Sequence, residues 1–210
     1  VMLVIGTENS LVFLKPTQTK TMKADYETEL SKETLANNIE TVALLGRNKW
    51  GSLSVDEKLR VLRTVVNIER RYLGLYDDEI ITCAVIGVPD ERLGYYSVET
   101  NKICINYNHL CHGTGEEGLN IILHEIFHAY QNKCFDALQS LDGNYQTLRK
   151  FDDIKKWGEN IENYISDDES GDDYYYQVLE IDAREYAEEA SEDYYRKINQ
   201  YYGNTVIGNK

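Results

Sequence analysis

Apolar residues recur along this chain with two different periods, and the switches between them mark out its elements. Residues 3–14, LVIGTENSLVFL, hold two short apolar runs around a Gly-Thr-Glu-Asn-Ser break, which predicts a hairpin. From Lys23 to Leu45 the spacing turns helical through Leu30, Leu35, Ile39, Val42 and Leu45, and Gly46 supplies a stop. Arg47 to Trp50 reads as a short polar turn ending in one aromatic. The next helix is marked at both ends. Ser54 and Glu57 have capping-box spacing, Leu59, Leu62, Val65, Val66, Ile68 and Leu73 form its stripe, and Gly74 closes it. This N-terminal region, 1–78, reads as helical scaffold.

From Glu79 the pattern becomes β-like. Ile80 to Ile86 is a short run rich in β-branched residues that ends before Gly87 and Pro89, as a buried strand would. Tyr95 to Val98 and Ile103 to Tyr107 flank the polar turn Glu99-Thr100-Asn101-Lys102, which predicts a pair of strands. A helix follows, with Thr114 and Glu117 at capping-box spacing and Gly113 and Gly115 punctuating the turn before it. Its apolar surface runs through Leu119, Ile122, Leu123, Ile126, Phe127 and Tyr130. Beyond Gln131 the chain turns polar. It then regains a stripe at Leu148, Phe151, Ile154, Trp157, Ile161 and Tyr164. Ser166 to Asp173, SDDESGDD, lacks EF-hand spacing and reads as a solvated acidic linker rather than a calcium loop. A last helix, about 174–198, carries Leu179, Ala183, Tyr186, Ala187, Ala190 and Tyr194 on one side. No internal repeat or linker divides the chain, so 1–210 is read as a single domain, with 1–78 and 79–210 as its two regions.

Composition narrows the class. The hydrophobic content of 42% is that of a globular protein, and the net charge of −14 argues against a nucleic-acid backbone as partner. No apolar run is long enough to span a membrane. The 17 tyrosines, many in the acidic C-terminal third, are expected on half-buried helix faces with their hydroxyls in water. Cys83, Cys104, Cys111 and Cys134 form no C-x-x-C pair, and Cys83 and Cys104 fall in strand-like runs as buried thiols.

The candidate chemistry lies in GLNIILHEIFHAYQ, residues 118–131, which contains His124-Glu125-Ile126-Phe127-His128. On a helix the two histidines share one face and can reach one metal ion, while Glu125 stands about 100° further round, where a carboxylate can take a proton from water. With four histidines in the chain, an accidental match to H-E-x-x-H is a roughly one per cent event.

HEIFHAYQ resembles the active-site helix of zincin-type metallopeptidases. The likeness extends from about residue 80 to 198, and H-E-x-x-H followed by E-x-D-A-x-x-Y-A (Glu180 to Ala187) is similar to small, gluzincin-like bacterial proteins. The resemblance implies an α+β, zincin-like fold, mostly helical, with a small and mainly antiparallel sheet beside the active-site helix. It also implies that 103–107, or its hairpin partner, borders a cleft and pairs with extended substrates. The activity implied is zinc-dependent hydrolysis of a peptide or protein substrate, with Glu125 as general base. The alternative is a zincin-like binding or regulatory module that cleaves nothing.

Two histidines leave zinc short of a protein ligand. Glu180 and Asp182 both lie within about one residue step of the buried face of the last helix, whereas Glu185 points away. Glu180 is the longer and the nearer to the stripe, so it is the expected third ligand. Asp182 is then expected to hold a ligating histidine, or to be the ligand itself. His109 and His112, read as residues of a Gly-rich loop, are the competing source. For the carbonyl oxygen of a reacting bond, Tyr186 and the Tyr174–Tyr176 cluster are the candidate donors.

Overall fold

The computed structural model describes residues 4–5, 11–12, 34–76, 79–89, 91–166 and 169–208. β1 (Val4–Ile5) and β2 (Leu11–Val12) pair antiparallel, with Val4 opposite Val12, so the hairpin expected over 3–14 is formed where it is described. The helix expected from Lys23 is described only from α1 (Leu35–Val42), where Thr34 accepts the amide of Asn37 as an N-cap; residues 23–33 lie outside the described residues. A 3₁₀ turn, Ala43–Leu45, leads into α2 (Arg47–Trp50). The expected polar turn is therefore a single helical turn, and its Trp50 is buried, donating from Nε1 to the Gly113 carbonyl at 3.0 Å.

α3 (Val55–Tyr72) starts on the complete Ser54/Glu57 capping box that the sequence announces. Three strands follow: β3 (Ile81–Val85), β4 (Gly94–Ser97) and β5 (Lys102–Asn106). The sheet differs from the expected, mainly antiparallel one. β5 lies in the middle, parallel to β3 and antiparallel to β4, so the sheet is mixed. The turn signal at 99–102 fixes the β4–β5 pair, but nothing local says that β3 joins β5 from the other side. Ile103 and Ile105 face the helices, and the alternation of the pleat sends Cys104 to the outer face.

α4 (Tyr107–His112) precedes α5 (Gly115–Gln139), which opens on the Thr114/Glu117 capping box. α5 runs well past Gln131, where the sequence turns polar. Tyr130, Cys134 and Leu138 stay buried at four-residue spacing, and the polar residues occupy its other side. Next come α6 (Gly143–Gln146), a 3₁₀ turn at Arg149–Phe151, α7 (Asp152–Glu162), α8 (Gly171–Tyr175) and α9 (Val178–Gly208). The architecture is α+β, mostly helical with one small sheet. α5 is its axis. α3, α7 and α9 pack around it, with β4 and β5 against its remaining side. Residues from Val42 to Ile198 contribute to the buried cluster. Among the described residues no helix is long and apolar enough to cross a membrane.

Candidate metal centre

His124 and His128 stand one turn apart on α5, and their Nε2 atoms approach to 3.0 Å. Against them comes the first turn of α9. Glu180 Oε2 lies 3.1 Å from His124 Nε2, and Glu180 Oε1 lies 3.5 Å from His128 Nε2. The Glu180 side chain is 1% exposed, whereas the imidazoles are 14% and 15% exposed, so the carboxylate forms the floor and the rings keep an open edge. A carboxylate in the first turn of a helix also meets the positive end of its dipole. These three groups offer ligand atoms within 4.8 Å of one another and could hold a metal ion.

Neighbouring residues orient these groups. Gln131, three residues after His128, donates from Nε2 to the Leu179 carbonyl at 3.0 Å, which turns its Oε1 toward His128 Nδ1 at 2.8 Å. In the neutral imidazole that acceptor draws the proton to Nδ1 and leaves the Nε2 lone pair for a metal ion, whereas the protonated ring bonds Glu180 from Nε2. The same bond ties α5 to α9 within a residue of Glu180. Tyr164 and Tyr174 donate to the two Glu180 oxygens, at 3.0 Å each. Tyr164 is held by Gln177, whose amide accepts from Ile165 N at 3.0 Å and donates to Ile165 O at 2.7 Å.

Electrostatics follow from burial and these contacts. Burial alone would raise Glu180, but the bonds to His124 and His128 hold it well below the ordinary carboxylate range. Burial alone would lower His128, yet Glu180 and the Glu125 charge keep it above its usual value. Burial pushes Tyr164 and Tyr174 up, and the Glu180 charge adds to this, so both hydroxyls remain donors.

Glu125 turns toward the sheet. It is buried, and its carboxyl is raised by that burial; the charges of the two imidazoles oppose the shift, Glu180 adds to it, and a hydrogen bond from the Tyr96 amide opposes it. β4 is an edge strand among the described residues. Asn106 N donates to Leu93 O, so by the alternation of an antiparallel ladder Tyr95 and Ser97 also face β5, while Gly94 and Tyr96 direct their backbone groups outward. Of the two strands the sequence offered as the cleft border, β4 is the one beside Glu125. Gly94 permits the approach, because a Cβ there would stand 2.6 Å from Ile121 Cγ2 and 3.1 Å from the Cys104 carbonyl.

Other expectations need correction. Asp182 does not hold a histidine: it accepts Trp157 Nε1 at 2.7 Å, behind α5, and Gln131 takes the expected role. Tyr186 is stacked on Phe127, and its hydroxyl is committed to the buried Glu69 carboxylate, which also accepts from Tyr194 at 2.8 Å. It is no donor for a carbonyl at the centre. His109 and His112 sit on α4 rather than in a loop, and neither belongs to the His124–His128–Glu180 group. Tyr164 lies beyond the end of α7 instead of continuing its stripe, and the expected helix from Tyr174 breaks at Gln177, where its amide is spent on Ile165. Part of the acidic stretch is helical, with Ser170 capping α8; residues 167–168 lie outside the described residues. The sequence assigned no role at the centre to Gln131, Gln177 or Tyr164. Of these, Gln131 alone carried a local signal, its i, i+3 spacing from His128.

Compared with known proteins, the chain matches no family model, no curated protein and no solved structure.

Proposed function

We propose that this chain is a zinc-dependent peptide hydrolase. One observation carries the reading: His124, His128 and Glu180 converge from two helices, with Glu125 beside them against an edge strand. The donor set of two imidazoles and one carboxylate suits zinc. Tetrahedral zinc with ligand atoms at roughly 2.0–2.1 Å sets those atoms about 3.3 Å apart, and the contacts of 3.0, 3.1 and 3.5 Å bracket that spacing. The resemblance of HEIFHAYQ and E-x-D-A-x-x-Y-A to zincin-type metallopeptidases supports the same function.

A zinc ion held by His124, His128 and Glu180 would supply Lewis acidity to a water and to the carbonyl of the scissile bond. Glu125, its carboxyl raised by burial, takes the proton of the attacking water and passes it to the leaving amine. The outward backbone groups of Gly94 and the outward carbonyl of Tyr96, whose amide serves Glu125, offer an extended peptide an edge to pair with. Tyr164 and Tyr174 hold Glu180 in place, each committing its one hydroxyl proton to that carboxylate, so Tyr174, like Tyr186, is no donor for the carbonyl.

A diverse peptide library, incubated with the zinc-loaded chain, with chelator, and with Glu125→Gln, tests this. Cleavage should stop with chelator and return with zinc. Glu125→Gln should keep the ion and lose about 10²–10⁴-fold in rate, the range for a missing general base. A zinc-loaded wild type that cleaves nothing, or a Glu125→Gln chain as fast as wild type, contradicts the proposal.

A further inference from the structure

The outer face of the sheet carries a second chemical feature, away from the metal-binding side chains. Cys83 of β3, Cys104 of β5 and Tyr95 of β4 stand in one row across the three strands, Cys104 being the register partner of both others. The two sulfur atoms lie 3.5 Å apart, and the Tyr95 hydroxyl bonds to the Cys104 thiol. Cys104 is 5% exposed, while Cys83 is only half-buried, so a small reagent reaches the pair from the β3 side. Cys111 and Cys134 are engaged elsewhere, with Tyr107 and Tyr130. Neighbouring strands lie about 4.8 Å apart, inside the roughly 4.4–6.8 Å range of Cα separations that a disulfide accepts. Closure therefore needs side-chain rotation, not backbone movement.

We propose that Cys83 and Cys104 form a redox modification site, which a peroxide closes to a disulfide that fastens β3 to β5. The Cys83 sulfur attacks the peroxide, forming an S–O bond as the O–O bond breaks and one water leaves. The Cys104 sulfur then attacks the sulfenic acid at Cys83: the S–S bond forms, the S–O bond breaks, and the departing hydroxide takes the Cys104 proton as a second water. Two thiols are oxidised and one peroxide is reduced to two waters. Burial and the hydrogen bond to Cys104 push the Cys83 thiol up, so its thiolate is scarce at neutral pH and closure is slow. The bridge closes a loop that contains all of β4, so oxidation restrains the strand beside Glu125. This inference does not rest on the hydrolase reading, because no thiol belongs to the His124–His128–Glu180 group.

The test is peroxide treatment of the reduced, folded chain, followed by alkylation, intact mass and disulfide mapping. The expected product has lost two hydrogens, yields a peptide joining Cys83 to Cys104, and has a raised thermal midpoint that falls back with dithiothreitol. Cys83→Ser and Cys104→Ser should each abolish the bridge and the shift, whereas Cys111→Ser should keep both. Mapping on the wild-type chain decides the matter even if a serine variant folds poorly. Oxidation that yields only sulfinic acids, or bridges to Cys111 or Cys134 as readily as between Cys83 and Cys104, overturns the proposal.

Discussion

His128 offers a lone pair from Nε2 only while its proton stays on Nδ1, and the Gln131 amide oxygen keeps it there. Gln131→Ala should therefore weaken zinc binding about 10–100-fold, the usual loss when a group that orients a ligating histidine is removed. Asp182→Ala should leave zinc affinity close to wild type, because its carboxylate serves Trp157. A competitive chelator titration of both variants checks the pair, and the opposite ranking would return Asp182 to the role the sequence suggested for it. The histidines and Glu125 were legible because they sit four and one residues apart on one helix, where spacing is geometry. Glu180 was legible as a ranked choice, since helical periodicity puts two carboxylates near the buried face. Asp182 was misread because periodicity gives a direction from the helix axis but not the neighbour found there. That neighbour is an indole from α7, about 25 residues away along the chain.

At the scale of elements, the approach of β4 to α5 depends on a position without a side chain. A methyl group at Gly94 would meet Ile121, the Cys104 carbonyl and, at 3.8 Å, Glu125 Cγ. Gly94→Ala should lower stability by about 1–3 kcal/mol, the cost of overpacking. By pushing Tyr96 away from Glu125 it should also depress peptide cleavage more than zinc content. Denaturant unfolding, turnover and metal analysis on one preparation check this; turnover and zinc content falling in step would count against a separate role for the β4 contact. Element boundaries marked by side-chain caps, as at Ser54 and Thr114, were readable in the sequence because donor and acceptor lie three residues apart. Strand order was not, since the β3–β5 pairing joins segments separated by the whole of β4. The break before α9 was equally hidden: Gln177 leaves a helical pattern to bond Ile165, across the acidic stretch.

Over the whole molecule, several tyrosines of the C-terminal third fasten the chain together, while Tyr175 and Tyr176 stay exposed. Tyr195 and Tyr202 donate to the carbonyls of Leu45 and Ala43, at 3.3 and 2.6 Å, while Tyr186 and Tyr194 share Glu69 of α3. α9 is thus tied to the N-terminal helices along its length as well as to α5, and these ties fix its first turn where Glu180 meets the histidines. Composition gave the number of hydroxyls but could not give these partners, which lie more than a hundred residues away in sequence. Because the centre is framed by packed helices rather than by the ion, chelation should lower the thermal midpoint only modestly, as linkage requires when free metal exceeds Kd by a small factor. The account stands most directly on elemental analysis of the wild-type chain and Glu180→Ala, both purified without chelator and dialysed against equal trace zinc. It predicts about one zinc per wild-type chain and a nearly empty variant that stays folded. Zinc absent from the folded wild type, or bound equally by both chains, would contradict it.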